Sequence, residues 1–454
     1  MTVRWDRFLL ENIAEQALHD ANNTGFDLPK CYPGTREAIQ KDLSEWVRNV
    51  ERKHPIYWLY APAGSGKTAV AKTLADSFSN PATPLSGLLA SFFFRRSHVN
   101  NEKKFVATIA YQVKTKIPIT SRFIIDAIKA DPAIFQKDLQ VQLSKLILIP
   151  LNHASKMVKE KANWPQLIII DGLDECAGHD AQLTVLDVVS RLALCPFPFA
   201  IFISCRPEAH IRGAFQTHIA EPSLKICLPD KYYSDDDIRT FVVGKFQAVV
   251  RSHRAFVDFP PCWPGEEVIR QLVKKSSGHF IYAAVVMNYI SVSDENPVER
   301  LNIILGSLKD PDDENPFATL DALYSHILSS IKKKYRSTVE TVLKIAIAQS
   351  QVSRGNNHSE SDVDLGSFLL LRPGQLRYSL ANLEGILLRT HATSSTVTFL
   401  HASLIDFLLD KGRSGPHYID LRISHTEITF YFLHYIFHSG DKSKHILGYV
   451  FLQI

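Results

Sequence analysis

Residues 56–70 read Ile56-Tyr57-Trp58-Leu59-Tyr60-Ala61-Pro62-Ala63-Gly64-Ser65-Gly66-Lys67-Thr68-Ala69-Val70, and the amphipathic pattern opened by Val70 continues through Leu74 and Phe78. An apolar strand runs into a turn with two glycines, and the turn runs into a helix. Glycines let successive backbone N–H groups wrap around an anion at a helix N-terminus, where the peptide dipoles favour negative charge. In such a loop Lys67 reaches the β- and γ-phosphates of a nucleotide and the Thr68 hydroxyl coordinates Mg2+. Ala63, Gly64, Ser65, Gly66 and Ala69 complete the predicted cradle. The first loop position, usually Gly, is Ala61 here.

A second signal lies a hundred residues downstream, at Leu167-Ile168-Ile169-Ile170-Asp171-Gly172-Leu173-Asp174-Glu175. An apolar strand ending in an acid places a carboxylate beside the phosphate loop, and Asp171 is the candidate second ligand for Mg2+. Asp174 and Glu175 lie just beyond and are candidates for polarising an attacking water. The next strand ends in Ile203-Ser204-Cys205-Arg206-Pro207-Glu208. Arg206 is thereby expected at the same sheet edge, facing the γ-phosphate, either to report nucleotide state or to stabilise transition-state charge. Alone, an apolar run before an acid is common; with the glycine loop it becomes specific.

Between these motifs the strand–turn–helix unit recurs. Residues 88–94 read as a buried strand with a helix from about Lys103, and Leu167–Ile170 and Phe199–Ile203 as two more strands. Near-continuous apolar runs suit a parallel sheet covered on both faces, so the chain reads as α/β over 35–230. Upstream, a helix is expected from Trp5 to about His19, and another from Gly34-Thr35-Arg36 with Thr35 as N-cap. After Pro229 helical patterns follow one another, opened by a capping box at Ser234-Asp235-Asp236-Asp237. Further on, a helix over 374–383, a hairpin over 386–399 and a helix over 404–410 give the outline of a winged-helix unit. The expected division is 1–30, an N-terminal helix and linker; 31–230, the nucleotide-binding unit; 231–335, helical; 336–415, winged-helix-like; and 416–454, a helical tail.

With 454 residues, 45% of them hydrophobic and 22% charged, wholesale disorder is excluded. A net charge of +4 is too small to argue for nucleic acid or an anionic membrane as partner. None of the six cysteines stands at CxxC spacing, which favours a reduced, cytoplasmic chain. The longest apolar stretch, about 280–290, is half of what a membrane helix needs.

The phrases Asp171-Gly172-Leu173-Asp174-Glu175, Ser204-Cys205-Arg206-Pro207-Glu208 and Phe92-Phe93-Phe94-Arg95-Arg96-Ser97 together resemble a NACHT-type NTPase. NACHT proteins belong to the STAND class of signal-transducing ATPases. The lead-in Cys31-Tyr32-Pro33-Gly34-Thr35-Arg36 resembles the nephrocystin-3-like N-terminal domain, and with Phe399-Leu400-His401-Ala402-Ser403-Leu404-Ile405-Asp406-Phe407 it is similar to the large NACHT sets of filamentous and mushroom-forming fungi. The resemblance covers about 31–412. It implies P-loop architecture, ATP and ADP as ligands with Mg2+, an ADP-held closed state, and an ATP-bound open state that self-associates through the NACHT domain. It also implies an effector or sensor protein as partner, and His401 as the winged-helix histidine that contacts the β-phosphate of ADP. Thr35 and Arg36 would contribute to the base pocket. Where relatives carry Gly-x-Pro-Leu, this chain reads Gly278-His279-Phe280-Ile281, without the proline that packs on adenine.

A slow switch ATPase is the leading expectation, with two rivals: a nucleotide-binding scaffold of negligible turnover, and an AAA+-like remodelling motor for which no arginine finger or second sensor stands out. Guanine is disfavoured because no Asn/Thr-Lys-x-Asp element follows the later strand. His434 and His438 read as packing residues rather than a zinc pair, and Lys332-Lys333-Lys334 with Arg336 as a solvated helix end. Arg95 and Arg96 leave open a surface and a nucleotide-edge reading. A truncated member and a minimal switch acting through partners are both compatible with a chain stopping at Ile454.

Overall fold

The computed structural model describes residues 2–21, 28–80, 87–95, 102–158, 164–176, 178–217, 219–228, 232, 235–252, 259–260, 262–291, 296–307, 318–351, 365–369, 371–372, 374–380, 383, 386–390, 396–399, 401–422, 429 and 431. Arg96, Ser234, His434, His438 and most of the expected tail lie outside them.

Five strands form one parallel sheet: β1 (Ile56–Tyr60), β2 (Leu88–Phe93), β3 (Leu167–Asp171), β4 (Ala200–Cys205) and β5 (Ser223–Cys227). Their order across the sheet is β2-β3-β4-β1-β5, with β4 paired to β1 and to β3 in parallel register. β1, β3 and β4 alternate their side chains between two apolar layers. Ile56 and Trp58 join Ile168, Ile170, Ile201 and Ile203 in one core, while Tyr57 and Leu59 join Leu167, Ile169 and Phe202 in the other. Burial of both faces explains why β1, β3 and β4 are apolar up to their C-terminal ends, where Asp171 and Ser204 stand.

The fifth strand is an addition to the sequence reading. Ser223–Cys227 is an edge strand that runs from buried Ser223 to exposed Lys225, so its residues lack the continuous apolar run of a central strand. Two local expectations are also corrected. The first helix spans Thr2–Glu11 rather than reaching His19, and a separate short turn of helix covers Glu15–Ala17. The second helix, Glu37–Arg48, starts from Arg36 in the left-handed region (φ 59°), so Arg36 and not Thr35 is its N-cap. The Thr35 hydroxyl donates back to the Tyr32 carbonyl (2.7 Å), which closes the turn before the helix.

Beyond the sheet the chain is helical, with long segments at Asp235–Ser252, Glu266–Ser276, Phe280–Ile290, Pro297–Ser307, Ala318–Ser329 and Arg336–Gln351. Arg336 thus opens a helix instead of ending one, and its guanidinium donates to the Ile331 and Ser329 carbonyls at the end of the preceding one. A hairpin of β6 (Leu387–Thr390) and β7 (Thr396–Phe399) follows, then the helix Ala402–Leu409. Buried side chains from Ile238 to Ile419 form one continuous core, which joins the helical and hairpin-bearing stretches.

Candidate functional site

In a parallel sheet all C-terminal strand ends share one edge, and open α/β sheets place their ligands there. That edge collects the loop after β1, Asp171 at the end of β3 and Arg206 just beyond β4. In the loop, Gly64 and Gly66 take positive φ (76° and 90°), and Gly66 is the N-cap of the helix Lys67–Ser79. A backbone of this shape turns its N–H groups inward, as an anion cradle requires. The Lys67 ammonium crosses the loop and donates to the carbonyls of Ala61 and Pro62 (both 2.9 Å). Burial lowers its pKa and Arg206 adds to that, while Asp174 and Asp171 oppose it. Ser65 is buried and its hydroxyl donates to the Pro62 carbonyl.

Asp171 is buried, and burial pushes its carboxyl up to about 6 against the hydrogen bonds of Ser204 and Thr68. The Ser204 bond follows from register, because Asp171 on β3 stands opposite Ser204 on β4. Thr68 and Asp171, predicted from positions a hundred residues apart, are therefore adjacent. Together they offer a hydroxyl and a carboxylate, the hard oxygen donors that suit Mg2+.

The Arg206 backbone N–H donates to Asp174 Oδ1 (2.9 Å) and its guanidinium Nε lies 3.2 Å from Asp174 Oδ2. Its Nη1 donates to Asp406 Oδ2 at 2.8 Å. Asp174 is thus engaged by Arg206, and Arg206 reaches the helix Ala402–Leu409. Glu175 is half-buried, and its charge, followed by that of Asp171, offsets the burial that lowers the pKa of Arg95. Arg95 is therefore buried within the influence of Glu175 and Asp171 rather than a surface charge.

Arg36 is buried and ties three segments together. Its Nη2 donates to the Ser65 carbonyl (2.9 Å), its backbone N–H to Asp237 Oδ2 (3.1 Å), and its guanidinium lies over the Phe280 ring (4.8 Å). Nε and Nη1 of Arg36 have no hydrogen-bond partner among the described residues. His401 is the N-cap of the helix Ala402–Leu409, where its Nδ1 accepts the Ser403 N–H (3.0 Å).

The resemblance points to residues 278–281 at the nucleotide, but the contact they make with the loop itself was not foreseen. The Ile281 N–H donates to the Gly64 carbonyl (3.1 Å), and a Cβ on Gly64 would lie 2.1 Å from Ile281 Cγ2. The start of the helix Phe280–Ile290 is packed directly on the phosphate loop, at the segment that lacks the expected proline. Asp237, Phe280 and Asp406 stand inside phrases the sequence singles out, but their partners Arg36 and Arg206 lie far off in the chain and were not legible there.

Loop, sheet order and strand-end acid define the class: a P-loop NTPase fold. The family model described as nephrocystin 3, N-terminal, matches residues 34–206, less than half of the chain. No curated protein matches. Among solved structures the chain is similar to the Walker-type ATPase of Pyrococcus abyssi, with 14% identity, a TM-score of 0.36, and coverage of 82% of this chain and 96% of that one. It is also similar to the Aeropyrum pernix ORC1 protein in complex with DNA, with 12% identity, a TM-score of 0.33, and coverage of 82% and 90%. No helix among the described residues is long and apolar enough to cross a membrane.

Proposed function

We propose that the protein is an adenine-nucleotide switch: a STAND-type ATPase that binds ATP or ADP with Mg2+ and hydrolyses ATP slowly. The observation that carries this reading is the meeting of Lys67, Thr68 and Asp171 at one sheet edge with a positive-φ glycine loop. Lys67 and the loop amides hold the phosphates, Thr68 and Asp171 hold Mg2+, and Asp174 with Glu175 orients the attacking water. The bound metal supplies charge neutralisation at the phosphate oxygens. Arg36, whose Nε and Nη1 make no hydrogen bond among the described residues although Nε lies 3.9 Å from Asp237 Oδ2, is assigned with its neighbour Thr35 to the base pocket.

The Arg206 pairing supports a switch over a constitutive motor. With Asp174 held by Arg206, and Arg206 held by Asp406, the water-orienting acid is occupied while the helix Ala402–Leu409 stays docked. A γ-phosphate competes for Arg206, so ATP releases Asp174 and Asp406 together. His401 on the same helix binds the β-phosphate of ADP and favours the docked form. ATP-driven undocking then exposes the NACHT surface for self-association and for an effector or sensor protein.

Titration of the whole chain with ATP, ADP and GTP, with and without Mg2+, tests the assignment. Tight ATP and ADP binding, strengthened by Mg2+ and lost for GTP, is the expected result. Equal or tighter GTP binding rejects the adenine reading. Single-turnover hydrolysis in the native chain, Asp174→Ala and Glu175→Ala separates a slow ATPase from a scaffold.

A further inference from the structure

Away from the phosphate loop, two histidines and a glutamate converge. His179 opens the helix His179–Leu194, Glu208 is the N-cap of the helix Ala209–Gln216, and His210 is its second residue. The two helices pack side by side, and this brings the ends of two different loops together. The imidazole rings of His179 and His210 stack at 4.0 Å between centroids, 26° from parallel. His210 Nε2 lies 3.8 Å from Glu208 Oε2, and one donor atom from each of the three side chains falls within 4.8 Å of the others. His179 is exposed and the other two are half-buried, so the cluster opens to water on one side.

We propose that His179, Glu208 and His210 form a binding site for a divalent transition-metal ion of the zinc type, with water completing the coordination. Two imidazoles and one carboxylate suit Zn2+ or Co2+, and suit Mg2+ or Ca2+ poorly because those ions prefer oxygen donors throughout. Donor atoms around a tetrahedral Zn2+ lie about 3.3–3.5 Å apart, so donors now within 4.8 Å of one another need draw in by up to ~1.5 Å, within reach of rotation about the side-chain bonds.

The surroundings add a consequence. The Gln182 amide nitrogen donates to the Asp174 and Cys176 carbonyls (3.3 and 2.9 Å). With its nitrogen committed, Gln182 presents Oε1 to His210 Nε2, which donates to it. Nε2 is the His210 atom in range of Glu208 Oε2 and also the one bonded to Gln182, so ligation through it replaces that bond. The ion joins the loop carrying Asp174 and Glu175 to the loop carrying Arg206, and it does so by a link that a nucleotide does not touch. The site stands on this geometry alone and does not depend on the switch reading.

The test uses the full chain without nucleotide, which would chelate the probe. Zn2+ binding is measured by calorimetry and Co2+ binding by visible absorption. The expected result is one tight equivalent and a Co2+ spectrum of d–d bands without the sulfur-to-cobalt charge transfer that a cysteine site gives. His179→Ala, at an exposed position, and Glu208→Gln, at a half-buried one whose side chain makes no cap hydrogen bond, should each weaken binding by about tenfold or more with an unchanged circular dichroism spectrum. Zn2+ should raise the melting temperature of the native chain and not of the variants. Equal affinity in native and variant chains, a spectrum dominated by sulfur charge transfer, or no binding overturns the proposal.

Discussion

Lys67 is the side-chain cation that the loop itself holds, through the Ala61 and Pro62 carbonyls, and those bonds are the ones a phosphate would replace. Lys67→Ala removes them from a half-buried position, so the fold should lose no more than about 1 kcal/mol while Mg-ATP and ADP binding disappears. Calorimetric titration of a folded Lys67→Ala protein with unchanged affinity would exclude the role. His401 requires a finer test because its Nδ1 already caps a helix. His401→Ala should cost roughly 1 kcal/mol in stability from the cap alone. A phosphate contact adds a charge-assisted bond of roughly 1.5–3 kcal/mol, and its loss should speed ADP release by about 10- to 150-fold. Asn is also a good N-cap, so His401→Asn separates the two: restored melting temperature with fast ADP release assigns the contact, and restoration of both reduces His401 to a cap.

At the scale of elements, the helices Ala318–Ser329 and Lys411–Ser414 are joined by a two-point pair. Arg413 Nε and Nη2 donate to Asp321 Oδ2 and Oδ1 at 2.9 and 2.7 Å, and Asp321 is buried. Removing one partner strands the other, at about 3–5 kcal/mol for a fully buried pair. Arg413 keeps some solvent contact, so about 2 kcal/mol is expected for Asp321→Ala. Denaturant unfolding should show that loss, with nucleotide affinity preserved if the pair serves only the helices. The phosphate loop shows the opposite arrangement, an element fixed by what lies on it. Gly64→Ala combines a positive φ with a contact to Ile281 that no Cβ can make, so the helix Phe280–Ile290 must retreat. A lowered melting temperature and faster proteolysis after Gly278 are the readouts, and an unchanged digestion pattern would contradict the packing.

For the whole molecule, Arg206 is the bridge, reaching an aspartate 200 residues away in the chain. Asp406→Ala removes the tie between the sheet edge and the helix Ala402–Leu409. The proposed switch then predicts faster ADP release and a larger self-associated fraction at equal nucleotide, measured by off-rate and sedimentation together. An unchanged fraction in both would leave the bridge a packing contact only.

What local sequence can state, it stated well here. β1, β3 and β4 were legible because both sheet faces are covered and an apolar run of four or five residues fills each strand before its C-terminal end. The glycine loop and Asp171 were legible because a phosphate cradle and a strand-end acid need those residue types at that spacing. The edge strand Ser223–Cys227 was not, since one-sided burial leaves no continuous run. Nor was the left-handed Arg36, whose turn is held by Asp237 and Ser65 from other parts of the chain. The seating of Ile281 on Gly64, the bridge from Arg206 to Asp406 and the meeting of His179, Glu208 and His210 were likewise decided by tertiary structure alone. Periodicity reports which face of an element is buried, and residue type reports what chemistry it offers. Which distant groups then meet depends on how helices pack over the sheet edge, and only the folded chain determines that.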